Sequence, residues 1–257
     1  MSKENFFKRK KGFGTVIYSP SSPPNYYIVG RFNGCSVEIE DVEQKQLLYS
    51  YGCFGKGNLS RSLPNFKSSV NDVSETSNLM VEEAFFLSYV VGCLQVKFEE
   101  KFLNLDEIWD LFMKTTNNFL SRYLSYQHFR LSGWVVRSGL KFGGDFSMLC
   151  LFEFFFSTHN DGIHFHVVLY KQGPEFHHAS YSVVVRDQNT SNENSDSWIQ
   201  LATVNRITES VSKELLLCDV VPMHPVPQLT TPECLRHLRL NVVVLKRWVS
   251  AQERIID

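Results

Sequence analysis

Apolar positions alternate with polar ones near the N-terminus of this chain, and this pattern predicts strands. Residues 14–40 hold two runs rich in β-branched and aromatic residues, separated by a Ser/Pro loop. The Asn33-Gly34 pair inside the second run predicts a tight turn. Residues 42–51 have the apolar spacing of a short helix, which Gly52 is expected to close. The N-terminal part is therefore predicted to be a small β-rich unit with one helix.

The middle of the chain changes first to polar residues and then to helical spacing. Residues 63–79 are rich in Ser and Asn, a composition typical of a linker or flexible loop. Residues 81–98 and 105–126 then repeat apolar residues at helical spacing, with acidic residues in their first turns. We expect the aromatic faces of these two helices to pack in a core rather than to bind a cofactor.

The C-terminal half mixes strand and helix patterns, which predicts an α/β (α+β) fold. The predicted elements are two short strands in 133–146, a hairpin in 167–188 that turns at Gly173-Pro174, a helix in 198–211, and buried strands in 214–221 and 240–249. The hairpin carries Tyr170 and His178 near one end. Taken alone, such a pair is also consistent with amphipathic residues at the rim of a sheet.

Composition limits the class of protein. The 257 residues are 43% hydrophobic and 14% aromatic, which is enough for packed cores. Because 26 Lys and Arg face 27 Asp and Glu, any contact with nucleic acid must use local basic patches. Six scattered cysteines without a CxxC pair, and an N-terminus without the apolar core of a signal peptide, predict a reducing intracellular location. No uncharged apolar run has the length of a membrane span.

Several separate motifs resemble one known family. In chain order they are YQHFRLSGWVVRSGLKFGGDF, LYKQGPEFHHASYSV, RITESVSKELLLC and VLKRWVS, and they resemble the catalytic subunits of the tRNA-splicing endonuclease. The upstream motifs CSVEIEDVEQKQLLYSYGCFGKGNLSRS and EEAFFLSYVVGCLQV resemble the large catalytic subunit, which the family assigns to cleavage at the 5′ splice site. The resemblance implies a small N-terminal β/α domain, then helices, and a C-terminal mixed-sheet catalytic domain.

This resemblance and the composition together predict a division of the chain. The predicted parts are a flexible basic N-terminus (1–12), an N-terminal β-rich unit (13–62), a polar linker (63–79), a helical pair that completes the N-terminal domain (80–125) and the catalytic domain (126–257).

The resemblance also implies the site residues. The family's catalytic Tyr, His and Lys match Tyr170, His178 and Lys213, and its base-binding Arg and aromatic residue match Arg206 and Trp248. The implied chemistry needs no cofactor and no metal, because the 2′-hydroxyl of the RNA attacks the adjacent phosphorus. Tyr170 would take the 2′-hydroxyl proton, His178 would protonate the leaving 5′-oxygen, and Lys213 would stabilise the transition state. The products are a 2′,3′-cyclic phosphate and a 5′-hydroxyl.

The role of Tyr170 suggests an electrostatic expectation. An unperturbed phenol has a pKa of about 10, so we expect the Lys213 ammonium to lie nearby and to lower the pKa of Tyr170. Six other basic residues either contact phosphate or are plain surface charges. They are Arg137, Lys141, Arg236, Arg239, Lys246 and Arg247.

The implied partners are precursor tRNA and the other subunits of the endonuclease, in a heterotetramer, and the implied location is the nucleus. The basic run 8–11 is compatible with a nuclear address, a phosphate-contacting arm or a solvated terminus. A membrane-associated site of splicing, which occurs within the family, is the alternative location.

The segment 147–167 departs from the family, which runs almost directly from the GDF motif to the LYxxGP motif. The first half of the segment is nearly all apolar, so it has to bury itself or expose an aggregation-prone patch. It is either a retained intron or gene-model error, or a real extension that packs on the sheet. Its His159, Asp161, His164 and His166 are weak candidates for a metal site.

Two other functions compete with the leading one. A catalytically inactive assembly or RNA-binding subunit of the same fold would keep the core and lose the triad, or have its site disrupted by the 147–167 segment. A metal-dependent nuclease would need clustered carboxylates, for which Asp145 and Glu175 are the nearest candidates.

Overall fold

The computed structural model of the chain describes residues 27–57, 76–138, 163–171, 179–186, 198–223 and 231–245. These residues form two mixed β-sheets, one in each half of the chain, with helices packed against them. The predicted α/β (α+β) class with mixed sheets is confirmed.

The N-terminal sheet has the strand order β3-β4-β2-β1-β5-β6. Its strands are β1 (Ile28–Phe32), β2 (Val37–Ile39), β3 (Lys56–Gly57), β4 (Ser77–Leu79), β5 (Leu94–Phe98) and β6 (Lys101–Phe102). β1 runs parallel to β5, and the other neighbours are antiparallel. The predicted turn between β1 and β2 is confirmed, since Gly34 has a φ of 104° and the Asn33 Oδ1 accepts a hydrogen bond from the Ser36 amide at 2.9 Å.

The first helix forms where the sequence predicts it. α1 spans Val42–Gly52, and the Asp41 carboxylate caps its N-terminus by accepting from the Gln44 amide at 2.8 Å. Cys53 ends the helix in the left-handed conformation (φ 54°), although the sequence suggested Gly52 for this role.

The predicted linker and the two long predicted helices need correction. The last residues of the 63–79 segment form β4, which pairs with both β2 and β3. The expected helix in 81–98 is α2 (Val81–Phe86) followed by a π-helical turn (Leu87–Val91), and Gly92 ends it with a φ of 72°. The chain then enters β5, because its buried and exposed residues alternate and β1 offers a pairing edge.

The expected helix in 105–126 consists of two helices. α3 spans Leu105–Thr115 and α4 spans Phe119–Leu131, separated by Asn118 in the left-handed conformation (φ 55°). The aromatic residues of these helices pack in the core, as predicted. Phe85, for instance, meets Tyr123 edge-on with ring centroids 4.7 Å apart.

The C-terminal sheet has the strand order β11-β10-β9-β8-β7. Its strands are β7 (Val135–Ser138), β8 (Ile163–Tyr170), β9 (Tyr181–Arg186), β10 (Glu214–Pro222) and β11 (Leu238–Leu245). α5 (Trp198–Ser210) connects the parallel pair β9 and β10, and a 3-10 helix (Pro232–His237) precedes β11. The remaining pairs are antiparallel.

These elements confirm the predicted antiparallel strand pair, the helix in 198–211 and the two buried strands, with shifts at their ends. The predicted turn at Gly173-Pro174 and residues 246–249 lie outside the described residues. In 133–146 the first predicted strand is β7, and the second lies outside the described residues. The last residues of the 147–167 segment, 163–167, belong to β8, which pairs with both β7 and β9. The end of this segment is thus part of the sheet.

A buried arginine joins α4 to the end of α1. Arg130 is 3% exposed; its Nε donates to the Tyr126 hydroxyl and its Nη1 to the Gly52 carbonyl, both at 2.8 Å. The guanidinium also lies 4.0 Å from the centre of the Phe54 ring. Arg130 therefore bridges α4 and the end of α1.

We predict that Arg130→Ala lowers the free energy of unfolding by about 3–5 kcal/mol. The change removes the cation 3.7 Å from the buried Glu83 carboxylate and leaves two buried acceptors without their donor. Lys101→Ala is the matched control, since it removes a cation whose partner Glu107 lies at the surface. Chemical denaturation of both variants measures the difference. Equal losses in the two variants would contradict this role of Arg130.

Candidate active site

Tyr170 is the last residue of β8, at one end of the C-terminal sheet. The register pairs Leu169 with Tyr181 on β9, and Tyr181 with Glu214 on β10. The Ser180 amide donates to the Leu169 carbonyl at 2.9 Å, and the Glu214 amide donates to the Ser180 carbonyl at 3.2 Å. Moving along this register by one residue gives a row of Tyr170, Ser180 and Lys213 across three strands.

The row brings Tyr170 and Lys213 to the same end and the same face of the sheet. Strands lie about 4.8 Å apart, so the α-carbons of Tyr170 and Lys213 are roughly 10 Å apart, within reach of two long side chains acting on one phosphate. Neighbouring residues of such a row project from the same face. The sequence could suggest that both residues act together, but only the register shows how close they lie.

α5 covers this face of the sheet. Val204 of α5 packs with Leu215 and Leu217, which alternate along β10 in phase with Lys213. The opposite face, which includes Leu169, packs into the main core. The site thus lies at the edge of the small apolar cluster under α5.

Lys213 connects the end of α5 to β10. Its amide donates to the Thr208 carbonyl at 3.1 Å, and its Nζ donates to the Val211 carbonyl at 3.3 Å. The residue is only 7% exposed, and burial lowers the pKa of its ammonium. The local backbone therefore holds the amine at the end of the sheet.

The expected effect on Tyr170 is wrong in direction. Burial raises the pKa of the Tyr170 phenol above its ordinary value, and the positive charge of Arg137 opposes this without overcoming it. Among the described residues, the charge that lowers the pKa of Tyr170 belongs to Arg137, not to Lys213. The sequence could not reveal how deeply the sheet buries the phenol.

The remaining predicted site residues are only partly described. His178 lies outside the described residues; Ala179, which follows it, is buried, and Ser180 is hydrogen-bonded to β8. Arg206 is exposed on α5 and lines an open groove of about 540 Å³ together with Ala202, Asn205 and Glu209. Trp248 lies beyond the last described residue of β11, so its predicted pairing with Arg206 stays a prediction.

The side chains of the candidate metal ligands lie outside the part of the chain that the structure describes. Residues 145, 159, 161 and 175, and the side chains at 164 and 166, lie outside the described set. Among the side chains that are described, no three His, Cys, Asp or Glu residues are grouped to hold a metal ion. Likewise, none of the described helices has the length and apolar character needed to cross a membrane.

Arg137 is the residue whose role the sequence analysis missed. Its Nη1 donates to the Gly55 carbonyl, and its guanidinium lies 5.7 Å from the centre of the Tyr49 ring. The sequence is consistent with either a phosphate contact or a surface charge at this position. No sequence signal identifies the carbonyl on a distant loop that accepts its hydrogen bond.

Two family models match the chain. The tRNA intron endonuclease N-terminal domain matches residues 28–109, and the tRNA intron endonuclease catalytic C-terminal domain matches residues 119–149. Both models describe domains of the tRNA intron endonuclease, so the matched parts of the chain are similar to that family. The catalytic-domain match ends inside the 147–167 segment, before Tyr170.

The chain is similar to Sen2 subunits of the tRNA-splicing endonuclease. It is 36% identical to the Sen2 subunit of Rattus norvegicus over 188 residues, which are 71% of this chain and 36% of the relative. It is 25% identical to subunit Sen2-1 of Arabidopsis thaliana over 235 residues, 91% of this chain and 86% of the relative. A tRNA-splicing endonuclease of Sulfurisphaera tokodaii is 24% identical over 190 residues, covering 74% and 89% of the two chains.

The chain spans about a third of the length of the rat, mouse and chicken Sen2 relatives that it matches. The similarity supports the predicted likeness to a subunit of the tRNA-splicing endonuclease.

Proposed function

We propose that the chain is an endoribonuclease subunit that cleaves precursor tRNA at the 5′ splice site. The observation that carries this proposal is the row of Tyr170, Ser180 and Lys213 at one end of the sheet, in a chain similar to the tRNA intron endonuclease family. A phenol and an amine on one face of one sheet end can serve the two sides of a single phosphate.

In the proposed mechanism, the Tyr170 phenolate removes the proton of the 2′-hydroxyl, which attacks the adjacent phosphorus. The Lys213 ammonium stabilises the negative charge that builds up on the phosphoryl oxygens, and its held position avoids reorganisation during the reaction. His178 protonates the 5′-oxygen as it leaves. The products are a 2′,3′-cyclic phosphate and a 5′-hydroxyl, and no metal or cofactor takes part.

The raised pKa of Tyr170 determines how the cleavage rate should depend on pH. The active form needs an ionised Tyr170 and a protonated His178, and the ordinary histidine pKa of about 6.5 lies below that of the phenol. Between these two values the phenolate fraction rises with pH as fast as the imidazolium fraction falls. The single-turnover rate should therefore be flat with pH through this range and fall below it.

In His178→Ala the acid is gone, so the much slower cleavage should rise steadily with pH as Tyr170 ionises. A pH–rate profile of both proteins measures this change of shape. Profiles of the same shape for the two proteins would rule out this pair of roles.

The partners and location follow from the same proposal. We propose assembly with the other endonuclease subunits in a heterotetramer, action in the nucleus, and a base near the cut held between Arg206 and Trp248. The exposure of Arg206 beside an open groove supports a role in binding an unpaired base, because a guanidinium stacks well on a base plane.

The function is tested by cleavage of an intron-containing precursor tRNA by the chain co-assembled with its partner subunits, in EDTA, with the cut site mapped on the RNA. The full-length chain should cut at the 5′ splice site, because Tyr170 is paired in the sheet opposite Val135 even though the 147–167 segment precedes it. The comparison variant lacks residues 147–162 only, so that it spares all of β8.

The second candidate is an inactive assembly subunit, and the end of the catalytic-domain match at residue 149 favours it. Cleavage by the shortened chain alone would mean that the extra segment inactivates the site. Failure of both chains, with assembly intact, would support the inactive subunit.

A further inference from the structure

Arg137 connects the segment from α1 to β3 in the N-terminal half to the part of the C-terminal sheet where β8 ends at Tyr170. Its Nη1 donates a hydrogen bond to the Gly55 carbonyl, and its guanidinium lies over the Tyr49 ring of α1 at 5.7 Å. Both contacts belong to the N-terminal half, whereas Arg137 itself is on β7 of the C-terminal sheet. The residue thus ties two parts of the fold together at a defined point.

The strand register makes Arg137 a neighbour of Tyr170. Val135 pairs with Tyr170, and Arg137 pairs with Val168. Arg137 is therefore diagonal to Tyr170 on the same face, a relation in which α-carbons are roughly 7–8 Å apart. A side chain as long as arginine spans this separation.

The anchor of Arg137 is itself fixed. Gly55 has a φ of 75°, in the region that favours glycine, and an added β-carbon would lie 2.3 Å from the Ser77 Oγ. β3 begins at the next residue and pairs with β4, so the Gly55 carbonyl lies at the edge of a hydrogen-bonded strand pair. An arginine bound to this carbonyl is oriented by the N-terminal domain.

Among the described residues, Arg137 is the cation that acts on the pKa of Tyr170. Its charge lowers the pKa of Tyr170 and also that of Glu83, a buried carboxyl whose pKa burial raises. Lys213 lies two strands away in the same row, and Lys171 follows Tyr170 in the chain.

We propose that Arg137 is a positioning residue that holds a fixed positive charge diagonal to Tyr170 on the sheet, with the segment from α1 to β3 as its anchor. The proposal rests on the proposed function of Tyr170 as the general base. It gives the N-terminal domain a direct role in the cleavage step.

The test measures the titration of Tyr170 directly, by NMR of the full chain labelled with ¹³C at the tyrosine ζ-carbons. Tyr170→Phe assigns the Tyr170 signal. In Arg137→Gln this signal should titrate at higher pH than in the wild type, because the cation that opposes burial is gone. Arg137→Lys, which retains a positive charge, should restore most of the difference, and Arg31→Gln, at an exposed surface arginine, should leave the titration unchanged.

The same variants are then assayed for cleavage in the assembled complex. Arg137→Gln should lower the rate in the flat part of the pH profile by about tenfold, in parallel with the lost phenolate fraction, while substrate binding stays unchanged. Tyr49→Leu, which keeps every charge but removes the ring under the guanidinium, should give a smaller change in the same direction. Tyr49→Phe should behave as the wild type.

An unchanged Tyr170 titration in both Arg137→Gln and Tyr49→Leu would overturn the proposal, and so would equal effects of Arg137→Gln and Arg137→Lys. If the wild type fails to cut any precursor tRNA, the proposed function fails. The NMR comparison still decides whether Arg137 controls Tyr170.

Discussion

Replacing Tyr170 with phenylalanine is expected to lower the rate of precursor-tRNA cleavage by about 10²–10⁴-fold, the contribution typical of a general base. The phenol is half-buried at the end of β8, and the change removes only its oxygen. Packing is therefore preserved, and the loss should be in the single-turnover rate rather than in binding of the RNA. Rapid-mixing kinetics with excess complex measures the two separately.

The matched control is Tyr181→Phe. Tyr181 follows Ser180, the neighbour of Tyr170 in the row across the sheet, and lies on the opposite face of the sheet, which meets the core. Its ring packs edge-on against the Trp134 ring, with centroids 5.4 Å apart. This variant should cut at nearly the wild-type rate. A similar loss in both variants would show that the oxygen of Tyr170 has no special role.

Replacing Lys213 with methionine should have opposite effects on activity and stability. The variant loses the cation that stabilises the transition state, and removal of one such group typically costs about 10²–10³-fold in rate. Stability should stay the same or rise, because burial disfavours the charged ammonium and a methionine of similar length fills the same space.

The sign of the stability effect follows from the pKa. A lysine whose pKa is lower in the folded state than in the unfolded chain opposes folding when it is charged in both states. This penalty begins to fall as pH rises through the folded-state pKa and is gone above the unfolded-state pKa. The melting temperatures of wild type and Lys213→Met should therefore differ most near neutral pH and converge at alkaline pH. Lys171→Met is the control, because Lys171 is exposed directly after β8. It should change neither the cleavage rate nor the melting temperature. A large loss of stability in Lys213→Met would contradict this account.

The sequence predicted the elements of the C-terminal half well because their signals are local. β9 and β10 are apolar runs with clear breaks, and α5 has simple helical spacing. Residues 94–98 were wrongly predicted as helix, because their apolar residues also fit the helical pattern of the preceding segment. These residues form a strand because they pair in parallel with β1. β1 lies about 66 residues earlier in the chain, so a local stretch of sequence does not contain this information.

The break between α3 and α4 was also missed, since it depends on a single left-handed residue, Asn118. Asparagine tolerates this conformation but does not require it, so its presence in a helical pattern is a weak signal. Similarly, residues 77–79 look polar and flexible, yet β2 and β3 both offer hydrogen-bonding partners and draw them into the sheet.

In the candidate site, too, the sequence identifies the residues, whereas their distances and electrostatics depend on the tertiary structure. The motifs identify Tyr170, His178 and Lys213 by residue type and order, and the register brings two of them to one end of a sheet. The electrostatics of the phenol could not be predicted, because burial and the Arg137 charge both arise from tertiary structure. The anchor of Arg137 on Gly55 joins residues 82 positions apart, beyond any pattern of spacing.

The central claim is that the RNA supplies its own nucleophile and that this chain holds the groups that activate it. The most direct test uses a precursor tRNA with a single 2′-deoxy nucleotide immediately before the 5′ splice site, cut by the assembled complex in EDTA. Loss of cleavage at that site, with normal binding and with a 2′,3′-cyclic phosphate on the unmodified control RNA, is the predicted result. Continued cleavage of the 2′-deoxy RNA at the same bond would contradict the account, because the attacking oxygen would then have to come from water.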